Sequence, residues 1–171
     1  MISLNELSKQ LSEPSKPFDS WQPSHCGELP IVINDQGEWF YDGSKITRLP
    51  MVKLFASVLC KEGAHFYLKT PIEKVTITVE DAPFIIVDWF LKQTNEGEAL
   101  CCIDNLARQW IVCQQQPLRV KNYKGAKVPY LILPFGCSAH VYQEVCFISG
   151  QKKPSLMNSA ILFNLQVRCF T

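Results

Sequence analysis

Residues 29–46 read Leu29-Pro30-Ile31-Val32-Ile33-Asn34-Asp35-Gln36-Gly37-Glu38-Trp39-Phe40-Tyr41-Asp42-Gly43-Ser44-Lys45-Ile46. Two apolar runs flank a turn signal, and a second turn follows closely. Residues 29–33 predict a strand. Asn34-Asp35-Gln36-Gly37 predicts a turn, with Gly37 available for positive φ. Residues 38–41 form the return strand, and Asp42-Gly43 sends the chain into a third at 44–46. This is a β-meander. Strand alternation puts Trp39 and Tyr41 on one face and Phe40 on the other.

On the C-terminal side a helix is expected. Pro50 suits its first turn. Met51, Phe55, Val58 and Leu59 recur at the spacing of one buried helical face, and Gly63 can end it. Strands follow at 65–68 and 74–79, where Val75, Ile77 and Val79 alternate with polar residues. Pro83 precedes another strand at 84–90. The pattern then repeats: a turn at 95–97, strands at 100–103, 109–113, 118–120 and 128–133, and a helix from Ser138 with Val141, Val145 and Ile148 on one face and Gly150 at its end. Ile161, Phe163, Leu165 and Val167 alternate as a last strand. Asn34 and Trp39 lie 71 positions before Asn105 and Trp110, a trace of duplication. Upstream, Ser3 and Glu6 fit a capping box for a helix carrying Leu4, Leu7 and Leu11. Pro14, Pro17 and Pro23 then impose an extended linker. The expected fold is α+β, a duplicated β-meander-plus-helix unit. The expected parts are 1–23 (helix and linker), 24–83 (first β-rich unit) and 84–171 (second β-rich unit).

The 171 residues are 47% hydrophobic and 19% charged, enough apolar material for real cores. A net charge of +1 lacks the basic excess of a nucleic-acid binder. No apolar run approaches the roughly 20 residues that span a bilayer. The start of the chain lacks the pattern of a secretory signal. The eight cysteines form no C-x-x-C pair. They are expected as reduced thiols in a cytoplasmic protein, with neither nucleic acid nor membrane as partner.

Candidate chemistry is sparse. Asp35 and Gly37 lack the further oxygen ligands of a calcium loop. His25 and Cys26 are adjacent rather than spaced as zinc ligands are. Cys137 and His140 would meet on a helix, but no third group orients them. No catalytic residue, metal or cofactor is therefore expected. The stronger reading is a binding crevice. Trp39 and Tyr41 beside Arg48 could stack a planar ligand. Thr70, Glu73 and Lys74 gather polar groups just past a Pro-constrained turn, near Arg48 and Tyr41.

Several stretches together resemble one family. Trp21-Gln22-Pro23-Ser24-His25-Cys26-Gly27-Glu28 resembles its opening motif. Residues 35–44 resemble its signature hairpin and residues 51–59 its helix. Residues 67–75 and 79–84 resemble its central strands. The family is the uncharacterised bacterial one known as domain of unknown function 1285, and the likeness runs from Trp21 to Leu165. The resemblance implies a duplicated α+β architecture with a pleckstrin-homology-like C-terminal half. It also implies a small polar, nucleotide-like ligand between the halves and a part in signal transduction, without enzymatic activity. The alternative is a protein-interaction module with a protein partner. This chain departs from the family at Asp104-Asn105 and at Gln114-Gln115-Gln116. An acidic Asp104 would disfavour an anionic ligand near that turn.

Overall fold

The computed structural model describes residues 21–95 and 97–142. The chain divides into two units. One runs to Glu80 and takes in Phe135–Cys137; the other runs from Asp81 to Pro134 and resumes at Ser138.

In the first unit the strands are β1 (His25–Ile33), β2 (Trp39–Tyr41), β3 (Ser44–Lys45), β4 (Leu59–Glu62), β5 (His65–Lys69) and β6 (Lys74–Val79), with a helix α1 (Leu49–Ser57) between β3 and β4. They form one sheet in the order β3-β2-β1-β6-β5-β4. The expected meander is present, and β1 also pairs in parallel with β6. Ile31, Ile33, Leu68, Val75 and Ile77 supply the buried face. α1 buries Val52, Phe55 and Ala56, and the Phe55 ring stacks on Trp39 at 6.3 Å and 27°.

The helix stops earlier than its apolar spacing predicts. Its C-cap is Val58, and Leu59 to Glu62 form β4. Leu59 pairs with Leu68, and Gly63, at φ +60, serves the β4–β5 hairpin rather than a helix end. Leu59 satisfied both periods, and pairing with β5 decided between them. The segment Phe135–Cys137 belongs to this unit. The Cys137 thiol donates to the Leu59 carbonyl at 3.8 Å.

The second unit contains β7 (Phe84–Thr94), β8 (Gly97–Asp104), β9 (Gln109–Ile111), β10 (Leu118–Tyr123), β11 (Ala126–Ile132) and β12 (Ser138–Val141). Their order is β10-β11-β12-β7-β8-β9, with β12 and β7 parallel. Read from the other edge, this is the connectivity of the first sheet: β7 stands for β1, β12 for β6, and so on. The repeated order of elements is therefore observed, with one difference. α1 has no counterpart, since residues 112–117 join β9 to β10 without a helix.

Two further expectations are corrected here. Residues 138–141 are a strand, not the start of a helix. Ala139, His140 and Val141 take register against Phe84, Ile85 and Ile86, and this pairing overrides the cap signal of Ser138. The Asn34/Trp39 and Asn105/Trp110 match does not mark equivalent positions. The first turn joins β1 to β2, and the second joins β8 to β9, whose topological partner is the β2–β3 turn. The expected N-terminal helix, the rest of the helix after 142, and the strand at 161–167 lie outside the described residues. Among the described residues, Cys60, Cys101, Cys102 and Cys113 are in no disulfide.

Candidate ligand-binding site

β1, β6 and β5 lie side by side in the first sheet. Alternation sends Val75, Ile77, Phe66 and Leu68 into the core. It leaves Lys74, Thr76 and Thr78 on β6, and His65 and Tyr67 on β5, toward the other face. An open cleft of about 280 Å³ along these strands draws its lining from both sets, Glu28, His65, Thr76 and Thr78 beside the core residues Phe66 and Ile77. His25 Nε2 and the Thr76 hydroxyl are 2.9 Å apart. The Tyr67 ring meets His25 edge-on at 6.0 Å and His65 at 6.4 Å. The Lys74 ammonium sits 4.3 Å from the Tyr67 centroid and pairs with Glu62. The hydrogen bond from Lys74 to Glu62 holds the lysine above its ordinary pKa, so Lys74 stays cationic at any physiological pH. Together these groups make a face with one aromatic platform, two imidazoles, a fixed cation and hydroxyl donors.

The residues expected from sequence fall in three places. Trp39 is buried beneath α1, and its indole Nε1 has no hydrogen-bond partner among the described residues. Tyr41 is half-buried on β2, and Arg48 is exposed at the N-cap of α1, making no side-chain cap. Thr70 is fully buried. Its hydroxyl accepts from Glu73 N at 2.9 Å and bonds the Glu73 carbonyl at 3.2 Å, closing the turn before β6. Glu73 is half-buried, with Oε2 making no hydrogen bond among the described residues. Of the six, Lys74 is the one with a described contact to the aromatic platform. His25, His65, Tyr67 and Thr76 escaped the sequence reading. The alternation of residues 65–69 was a signal for His65 and Tyr67 and that of 74–79 for Thr76, while nothing local marked His25.

The second unit holds a buried polar cluster. The Asp81 carboxylate accepts from the Tyr130 hydroxyl at 2.7 Å and faces His140 Nδ1 at 2.8 Å. His140 stacks on Tyr142 at 4.4 Å and contacts Tyr130 and Tyr123. Burial, reinforced by the Asp81 bond, pushes the Tyr130 phenol well above its usual range. His140 is thus bound to a carboxylate on a strand. The idea of a helical Cys137–His140 pair goes with the helix that carried it. Asp104, also buried, accepts from Leu106 N, Arg108 N, Arg108 Nε and Trp110 Nε1 at 2.7–2.9 Å. Its charge is thereby met by Arg108. Among the described residues, no three His, Cys, Asp or Glu side chains converge as a metal site would require.

Two six-stranded sheets of one connectivity and a single α-helix in the described residues define a mixed α+β protein. Residues 16–82 match the N-terminal domain of the family described as "Domain of unknown function (DUF1285)". A crystal structure of a DUF1285 family protein from Silicibacter pomeroyi DSS-3 is similar at 31% identity and a TM-score of 0.74, covering 85% of this chain and 81% of that one. Another, from Shewanella baltica OS155, is similar at 26% identity and a TM-score of 0.58, covering 80% and 97%. No curated protein matches. The chain belongs to the DUF1285 family.

Proposed function

We propose that this protein binds a small polar ligand, without transforming it, in a cytoplasmic signalling role. The observation behind this reading is the open cleft on the β1–β6–β5 face, with Glu28, His65 and Thr76 lining it and Lys74 over Tyr67 nearby. A tyrosine ring flanked by a fixed cation and imidazoles suits a planar, anionic molecule such as a nucleotide. The His25–Thr76 pair has the spacing of a base and a hydroxyl, but in the described residues no carboxylate orients the imidazole, which catalysis of that type requires. The finer assignment of the second unit as pleckstrin-homology-like rests on the family resemblance and on its antiparallel runs β7-β8-β9 and β10-β11-β12.

A thermal-shift panel of nucleotides and anionic metabolites tests the proposal. A ligand at about 100 times its Kd adds about 2.7 kcal/mol. The shift should vanish in Tyr67→Ala and Lys74→Ala and persist in Arg48→Ala. A broad panel that leaves the wild-type melting temperature unmoved would sink it.

A further inference from the structure

We infer that the outer edge of β10, in the second unit, is a docking edge for an acidic peptide in extended conformation. This site is independent of the cleft on the first unit.

The overall charge conceals a division along the chain. Residues 1–104 hold nine Lys and Arg against fifteen Asp and Glu, whereas residues 105–171 hold eight Lys and Arg against one acid, Glu144. The cations of this second stretch gather on the β10–β11 hairpin. Arg119, Lys121, Lys124 and Lys127 are all exposed. Arg119, Lys121 and Lys127 have no carboxylate partner among the described residues. β10 lies at the end of its sheet.

The hairpin register shows which backbone groups face outward. Lys124 and Gly125, both at positive φ, make a two-residue turn that leaves Tyr123 paired with Ala126. The Pro117 carbonyl accepts from Ile132 N at 3.0 Å at the other end. Antiparallel pairs alternate. The odd-numbered residues 117 to 123 therefore bond inward to β11. Val120 and Asn122 direct their N–H and C=O away from the sheet, and both residues are exposed. Arg119 and Lys121 share one face of β10, and Val120 between them points to the other.

A row of lysines commonly guards an edge against self-pairing. The same row repels a basic strand and admits an acidic one, since strand addition takes its affinity from main-chain bonds and its selectivity from charge. Residues 145–171 carry Lys152, Lys153 and Arg168 and no acid, so the chain's own C-terminal stretch is mismatched to this edge. A nucleic acid or an anionic bilayer can meet the cations and accept from N–H groups, but only an extended peptide also offers donors to the outward carbonyls at strand spacing.

The test is fluorescence anisotropy on the full chain with a capped eight-residue peptide alternating Glu and Thr. Single-stranded oligonucleotide and phosphatidylserine vesicles serve as other polyanions. Two further peptides are N-methylated at every second nitrogen, one in each register. The unmethylated peptide should bind, and bind more weakly as salt rises. One methylated register should lose binding on the order of tenfold or more. Val120→Pro, which removes an N–H that no described strand uses, should do the same, and Arg119→Glu/Lys121→Glu should abolish binding. Equal binding of both methylated peptides overturns the inference, as does binding of oligonucleotide or vesicles without the peptide. If Val120→Pro disrupts the fold, the methylated pair still decides on the wild-type chain.

Discussion

Cys102 shows how one buried side chain couples the fold to pH. Burial pushes its thiol up to about 12 from an ordinary 9.0. Cys60 is pushed up to about 11, again by burial first. Tyr130 is raised too, through burial and its bond to Asp81. For each group the folded state keeps its proton where the unfolded chain would release it. Their stabilising contribution is thus complete below about pH 9 and is lost as pH rises through the folded values. Urea midpoints followed by circular dichroism should be flat near pH 8 and fall steeply from pH 9 to 11. Cys102→Ala should start lower, by about 1 kcal/mol for the lost packing, and then fall less steeply. Parallel curves for the two proteins would show that Cys102 is not a titrating contributor. At this scale the sequence was partly legible. Leu100 and Ile103 on either side of Cys101 and Cys102 place both in an apolar run, as a buried strand requires. Nothing local joined Asp81 to Tyr130 and His140, 49 and 59 positions away, because only the pairing of β11, β12 and β7 brings them together.

Among the elements, the two Asx-headed turns use one geometry with the charges exchanged. Asn34 Oδ1 accepts from Gln36 N and Glu38 N at 3.0 and 2.9 Å, as Asp104 Oδ1 does from Leu106 N and Arg108 N. Gly37 and Ala107 take positive φ at the same step of each. In the first turn a neutral Asn34 donates to Glu38, which Lys45 and Asn34 hold below its ordinary pKa; in the second an anionic Asp104 receives Arg108 and Trp110. Asp104→Asn keeps the backbone acceptor but turns an NH₂ toward two donors in a buried site. It should cost about 3 kcal/mol by chemical denaturation. Asn34→Asp sets a carboxylate beside a Glu38 that is 39% exposed and paired with Lys45, and should cost under about 1 kcal/mol. Equal losses would mean that charge placement in these turns is incidental. Turn chemistry and strand alternation were readable in sequence because both are local. The end of α1 and the strand at 138–141 were not, since at Leu59 and Ala139 helix and strand patterns coincide and the paired strand decides.

For the whole molecule, the repeated connectivity was visible as an order of elements, while the residue match offered as an added trace of it joins unequal positions. What a linear reading could not show is that the first unit draws on chain from far downstream. Phe135 and Gly136 are both left-handed, at φ 57 and 73, and they deliver Cys137 to the Leu59 carbonyl. A Cβ on Gly136 would meet the Lys61 carbonyl oxygen at 2.6 Å. Gly136→Ala therefore combines a backbone conformation that disfavours side chains by about 1–2 kcal/mol with a clash against the main chain of β4. The effect should be confined to one unit. Hydrogen exchange on the full chain should show amides of β4 and β5 opening faster in the variant, while those of β7 and β8 keep their wild-type protection. Uniform acceleration in both sheets would mean that the two units unfold as one cooperative body. Unchanged exchange in β4 would mean that residues 135–137 lie on the first sheet without supporting it.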